Sequence, residues 1–256
     1  MNNFFSLTRF SRLLIKHSAE HYRTYLMSVS VLAGVMIVGG AFIVYTMQEP
    51  MDARIQTSLF MLLMPVSGCI FTSTVFSDMG DKRKAIPALT LPASAFEKYL
   101  VSWVYSYAVF IVVYTVMFYL VLLALINIRR WPGFDMVIFN VFQEKFLVLF
   151  IIFSLLHAIS LYGAIAFDKL HFIKTAFCFF ISMLVLILCN TFLLGSLVKQ
   201  QVFMAVPFGY LEFSEHGEYY SVSLSDVQFN WVMMVLCLIV VLIWTAAYCR
   251  LREKQV

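Results

Sequence analysis

Residues 99–128 read YLVSWVYSYAVFIVVYTVMFYLVLLALINI, thirty positions without an Asp, Glu, Lys or Arg. A helix needs roughly 20 apolar residues to cross the ~30 Å hydrocarbon core of a bilayer. Lipid offers no hydrogen bonds to the backbone, so such a stretch pairs its own amides as a helix and not as a strand. Working outward, five more gaps between charged residues have the same character: 24–48, 55–77, 146–167, 175–198 and 227–249. The expected fold is therefore an all-α polytopic membrane protein. It is one transmembrane domain over 1–256, with spans at about 25–48, 55–77, 99–128, 146–167, 175–198 and 227–249.

The composition agrees. The 256 residues are 62% hydrophobic and 12% charged, with a mean hydropathy of +0.89. A soluble domain runs at about 45–50% apolar and about 25% charged. Disorder, a disulfide scaffold and an ordinary soluble enzyme are excluded. Six spans place both termini on one side. Thirteen of the 18 Lys and Arg fall on that side and five on the other. The positive-inside rule makes the richer side cytoplasmic. The net charge of +4 thus reports topology and not nucleic-acid binding.

Residues 1–23 carry Arg9, Arg12, Lys16, Glu20 and Arg23 at helical spacing, with Phe4, Leu7, Phe10 and Leu14 between them. This pattern predicts an amphipathic helix in the membrane interface, its basic face toward anionic lipid. A plain extension of the first span is the alternative. The segment precedes a span too long for a signal-peptide core. Ser30, Ala33, Gly34, Gly39, Gly40 and Ala41 suit close helix approach in span 1. Pro65 marks a kink in span 2. Residues 129–145, with Trp131, Val137, Ile138, Val141 and Phe142, predict a short helix on the outer surface. Residues 199–226 are polar, with an apolar start (Val202 to Leu211) able to dip into the membrane. Cys69, Cys178, Cys189, Cys237 and Cys249 lie in or beside spans and read as small packing residues, with no metal spacing among them.

Chemistry-bearing residues are sparse. His157 is the histidine inside the spans; it serves the pathway, as a relay, or ordinary hydrogen-bonded packing, the commoner state of a lone bundle histidine. Gly34 and Gly39 have the glycine spacing of a phosphate loop, but Gly40 stands where its Lys belongs. This chain should bind no nucleotide, cofactor or metal. His17-Ser-Ala-Glu20-His21 fits a zinc-peptidase pattern, so a membrane hydrolase remains an alternative. The loop after span 2 is the most distinctive. It has Lys82, Arg83 and Lys84, then the apolar Leu89, Leu91 and Pro92, then Ala93, Ser94, Phe96 and Glu97. Ser94 with Glu97 is a capping box and predicts a helix start. Apolar anchors beside a basic cluster point to a protein-docking surface.

The stretch Leu89-Thr-Leu-Pro-Ala-Ser-Ala-Phe-Glu-Lys-Tyr-Leu100, following Asp81-Lys-Arg-Lys84, resembles the permease subunits of ABC-2 type transporters of Bacteroidetes-type bacteria. The resemblance implies two permease subunits, the same or similar chains, in the bacterial cytoplasmic membrane. It implies a separate cytoplasmic ATPase holding ATP and Mg. In the family the span 2–3 loop carries the coupling helix, so Lys82, Arg83, Lys84, Leu91, Pro92, Ala93, Ser94, Phe96 and Glu97 would dock the ATPase. Short re-entrant helices would precede the last span, here Phe203 to Leu211. Export is the implied direction; a membrane scaffold or signalling partner without transport is the alternative.

Overall fold

The structure is a computed structural model that describes residues 5–47, 51–80, 93–128, 137–141, 145–167, 169–199, 201–202, 205–209, 211–215 and 218–254. Among them, six helical stretches are long and apolar enough to cross a membrane. They are α1 (Leu7–Thr46), α2 (Ala53–Gly80), a composite third stretch, α5 (Lys145–Ala166), α6 (His171–Val198) and α7 (Asp226–Glu253). The third comprises α3 (Ala95–Trp103), a π-helical turn (Val104–Val109) and α4 (Phe110–Ile128). The chain is an all-α polytopic membrane protein; four of the charge-free gaps lie wholly inside one of these stretches, and the gaps 24–48 and 146–167 are helical as far as Thr46 and Ala166.

The helix starts follow from local sequence. Ser94 accepts from the Glu97 N–H, and the Glu97 side chain accepts from the Ser94 N–H, as the sequence predicted. Ser225 and Gln228 form a second such box at the start of α7. Each box satisfies amides that a helix otherwise leaves unpaired.

The start of α1, the start of α3 and the last turns of α7 meet at one end of the bundle. We call it the basic end. Val75, Phe76, Tyr99, Leu161, Ile165 and Leu251 form its core. A second, larger core around Phe60, Met64, Tyr114, Phe118 and Phe153 fills the other half. Helices approach closely where side chains are absent. A Cβ on Gly163 of α5 would overlap Thr175 of α6, and one on Gly40 of α1 would overlap Leu125 of α4.

Several expectations need correction. Residues 7–23 form no separate interfacial helix. They run unbroken into span 1 as one 40-residue helix. No Gly or Pro occurs between Leu7 and Ala33 to break it. Within the small-residue stripe, a Cβ on Gly34 or Gly39 would meet no neighbouring atom, so of its three glycines only Gly40 makes a close approach. Cys178, Cys189, Cys237 and Cys249 are exposed on α6 and α7 and do not pack, because these two helices have few neighbours over much of their length.

No helix forms at residues 137–141, the described part of the outer segment where one was expected. The segment is pinned into the bundle instead. Gln56 on α2 donates to the Val137 carbonyl (3.1 Å) and accepts from the Phe139 N–H (3.1 Å). Tyr119 donates to the Phe139 carbonyl (3.0 Å). The Phe139 ring enters the core against Phe60, Phe118 and Tyr119. Trp131 and Phe142 lie outside the described residues. Replacing Gln56 with Leu should raise amide exchange of residues 137–141 about tenfold, since it leaves buried backbone groups unpaired. Unchanged exchange there would show that Phe139 packing alone holds the segment.

Of the Phe203 to Leu211 stretch expected as re-entrant helix, the described residues 205–209 hold no helix and Leu211 opens a strand, while Phe203 lies outside the described residues. Strands β1 (Gln201–Val202), β2 (Leu211–Glu215) and β3 (Glu218–Val222) pair antiparallel in that order. Phe213 lies opposite Tyr220 and the rings stack at 5.6 Å. Alternation in Leu211-Glu-Phe-Ser-Glu215 and the aromatic run that follows favour strand over helix. Asn190 and Thr191 on α6 hold both backbone groups of Ala205.

Candidate functional site

The distinctive loop was expected to supply a docking surface. Lys82, Arg83, Lys84, Leu89, Leu91 and Pro92 lie outside the described residues. Ala93 and Ser94, which follow, are half-buried. Phe96 is half-buried and Glu97 is turned fully inward.

Glu97 is completely buried. Its Oε2 accepts from the Ser94 N–H at 3.0 Å. Its Oε1 accepts from the Ser6 N–H at 2.7 Å and from Arg9 Nε at 3.3 Å, with Arg9 Nη2 at 3.1 Å. One carboxylate thus caps its own helix and captures the first turn of α1. Phe96 stands edge-on to Phe5 on one side and to Tyr248 of α7 on the other. Tyr99 donates to the Trp244 carbonyl at 2.9 Å. The described end of the loop is therefore a clasp that joins α1, α3 and α7. A plain connector has no such effect. The turn is thus in contact with α1 and α7 while it opens α3.

Above the clasp, Lys98 and Ser102 on α3 and Ser106 in the π turn recur at steps of four and are all buried. The Ser102 hydroxyl makes no hydrogen bond. The π turn continues the column and points three consecutive side chains at different partners. Tyr105 meets Ser18 of α1, Ser106 meets His157 of α5 at 2.9 Å, and Tyr107 donates to Ser154 of α5 at 2.6 Å. A π turn is wider than an α turn, which allows consecutive residues to reach inward.

His157 is fully buried. Trp244 Nε1 can only donate, and it donates to His157 Nδ1 at 3.2 Å. The ring proton therefore sits on Nε2 and donates to Ser106 Oγ. Ser106 passes its own proton to the Trp103 carbonyl at 3.3 Å. Every polar atom of the ring is satisfied in the neutral state. This arrangement favours the packing role of His157 over the relay role, because a proton relay needs a titrating neighbour and this chain of bonds ends on a backbone carbonyl. Tyr107 and Phe153 close around it, and Trp103 stands edge-on to Trp244.

The His17–His21 pair behaves differently from the zinc-peptidase expectation. The two rings stack at 4.5 Å, and His17 Nε2 bonds the Tyr25 hydroxyl at 2.5 Å. Glu20 faces outward and pairs with Lys16 at 3.5 Å. Among the described residues no three His, Cys, Asp or Glu side chains gather as a metal site. Sequence reading missed Ser6, Arg9, Trp244 and Tyr248. A buried Trp in a span does need an acceptor for its N–H, so Trp244 carried a signal. Arg9 carried none, because its partner lies 88 residues away.

The chain matches no protein-family model, no curated protein and no solved structure.

Proposed function

We propose that this chain is the membrane-spanning permease subunit of an ABC-2 type transporter in the bacterial cytoplasmic membrane. A separate ATPase binding ATP and Mg would dock on the span 2–3 loop and power export. A second permease subunit, the same chain or a similar one, would complete the pathway. The observation that carries the reading is the clasp. A partner pressing on the loop acts directly on the turn at residues 93–97, and that turn is bonded to α1 and α7 as well as opening α3. Local force becomes a joint movement of three spans, as alternating access requires. The sparse ionisable groups within the spans also suit an external energy source. The apolar faces of α6 and α7, with Phe177, Phe180, Leu184, Leu238 and Leu242 exposed, suit lipid or a second subunit.

The burial of Glu97 decides how docking is tested. Substituting it would loosen the clasp before it touched a partner. The contact is better probed through Lys82→Glu, Arg83→Glu and Lys84→Glu together. The tagged chain, purified in mild detergent, should bring down a stoichiometric ATPase with a phosphate-binding loop. The charge reversal should remove that ATPase and leave the melting temperature unchanged. If the folded wild-type chain brings down no ATPase, the permease reading fails and a non-transporting scaffold replaces it.

A further inference from the structure

The axial register of α1 against its neighbours is not what the charge-free gaps imply. Tyr105 stacks on Tyr25 at 5.4 Å, stands tilted against His17 at 4.9 Å, and bonds Ser18. Tyr25 also stands 5.5 Å from Phe71 of α2. The next residue, Ser106, contacts His157 of α5, which bonds Trp244 of α7. Residues 17–25 of α1 are thus level with Tyr105, Phe71, His157 and Trp244.

That level lies inside the apolar layer of the other helices. Toward the basic end, the first charged residue comes seven positions from Tyr105 (Lys98), seven from Phe71 (Asp78) and six from Trp244 (Arg250). On α5 none occurs between His157 and the helix end at Ala166. At the rise of an α-helix this is about 10 Å of uncharged wall. On α1 the same level carries Lys16, Glu20 and Arg23, with Arg12 one turn below, all exposed at helical steps of 4, 4 and 3. Three cations stand against one carboxylate, and Glu20 is already paired with Lys16. Arg23 donates to the Tyr22 hydroxyl. Ile15 and Leu26 are exposed beside the stripe.

Ionised groups facing hydrocarbon are costly, and long basic side chains relieve this by reaching toward headgroups. Here the headgroup layer must also come to them. We propose that Arg12, Lys16 and Arg23 form a binding site for the phosphate of an anionic phospholipid, drawn about 10 Å toward the bilayer centre along α1. Its acyl chains lie against Ile15, Leu26 and the apolar surface above them. The charges decide the class of lipid: three cations against the one carboxylate of Glu20 leave the stripe net positive, which favours a headgroup of net negative charge over a zwitterion. The site stands whether or not the chain is a permease.

The test is native mass spectrometry of the full chain in a neutral detergent, offered equal amounts of phosphatidylglycerol and phosphatidylcholine. Wild type should retain phosphatidylglycerol at least about tenfold over phosphatidylcholine. Arg12→Gln/Lys16→Gln/Arg23→Gln should bring the two near parity. Arg12→Lys/Arg23→Lys, which keeps the charge and tolerates the same exposed positions, should retain the preference. So should Arg250→Gln/Arg252→Gln, which removes basic charge from the end of α7. Parity in wild type, or an unchanged preference in the triple Gln variant, overturns the site. Displacement of the lipid by millimolar inorganic phosphate would overturn the lipid assignment in favour of a free anion. A dimer mass without bound lipid would show that a second copy covers the stripe, and would also overturn it.

Discussion

Replacing Glu97 with Ala will lower the stability of the folded chain by about 2–3 kcal/mol, the largest effect of any single polar substitution at the basic end. The carboxylate has no solvent contact, and its removal takes the acceptor from the amides of Ser6 and Ser94 and the carboxylate partner from Arg9. Arg9 is one-third exposed, which keeps the figure near the lower limit for a broken buried pair. Thermal unfolding in detergent should fall by about 5–10 °C. Arg9→Ala should cost less, because the carboxylate would keep both backbone donors. The double variant Arg9→Ala/Glu97→Ala should be little worse than Glu97→Ala alone, since both changes open one clasp. Strict additivity in that cycle would refute the joint. A melting shift under about 1 °C for Glu97→Ala would mean that the Phe5, Phe96 and Tyr248 rings hold the three helices unaided.

The second large effect is expected at His157. Substitution by Leu keeps a similar apolar bulk but leaves Trp244 Nε1–H and Ser106 Oγ without their partner. Interhelical hydrogen bonds in membranes are worth about 0.6 kcal/mol on average and up to about 1.7, so the loss should be about 1–3 kcal/mol. His157→Gln offers both an acceptor and a donor and should recover part of it. Combining His157→Leu with Trp244→Phe removes the stranded donor and should cost less than the sum of the two singles. If His157→Gln is as stable as wild type in detergent yet the cells lose the protein's function, His157 moves protons or contacts cargo, and the packing role is wrong.

The legible parts of this fold share one property: they are local. A capping box spans three residues, so Ser94 and Glu97 announce the start of α3 in the sequence and form it in the structure. The charge-free gaps announce the spans for the same reason. The β2–β3 hairpin was also written locally. Leu211 and Phe213 alternate with the polar Glu212 and Ser214, Glu215 follows, and two residues ending in Gly217 separate the strands. It was missed because the same stretch is apolar enough at its start to suggest a helix dipping into lipid. The 137–141 segment misled in a similar way. Its hydrophobics read as a face for the membrane surface, yet Phe139 and Val141 are core residues. Periodicity over five residues cannot separate a surface helix from an inserted loop.

Local signals say nothing about which distant side chains meet. Glu97 was visible as a cap and invisible as the anchor of α1, because Ser6 lies 91 residues away. His157 stood alone in the sequence, and its two partners come from helices before and after it. The register of α1 was equally hidden. Its uncharged stretch placed the membrane boundary at Arg23, but packing against Tyr105 and Phe71 set that residue deeper than the boundaries of its neighbours. By itself the sequence determined the number and nature of the spans, because a bilayer imposes a length and an apolar composition on each helix separately. Tertiary structure decided the clasp, the histidine's tautomer and the depth of the basic stripe, because each depends on how whole helices slide and rotate against one another.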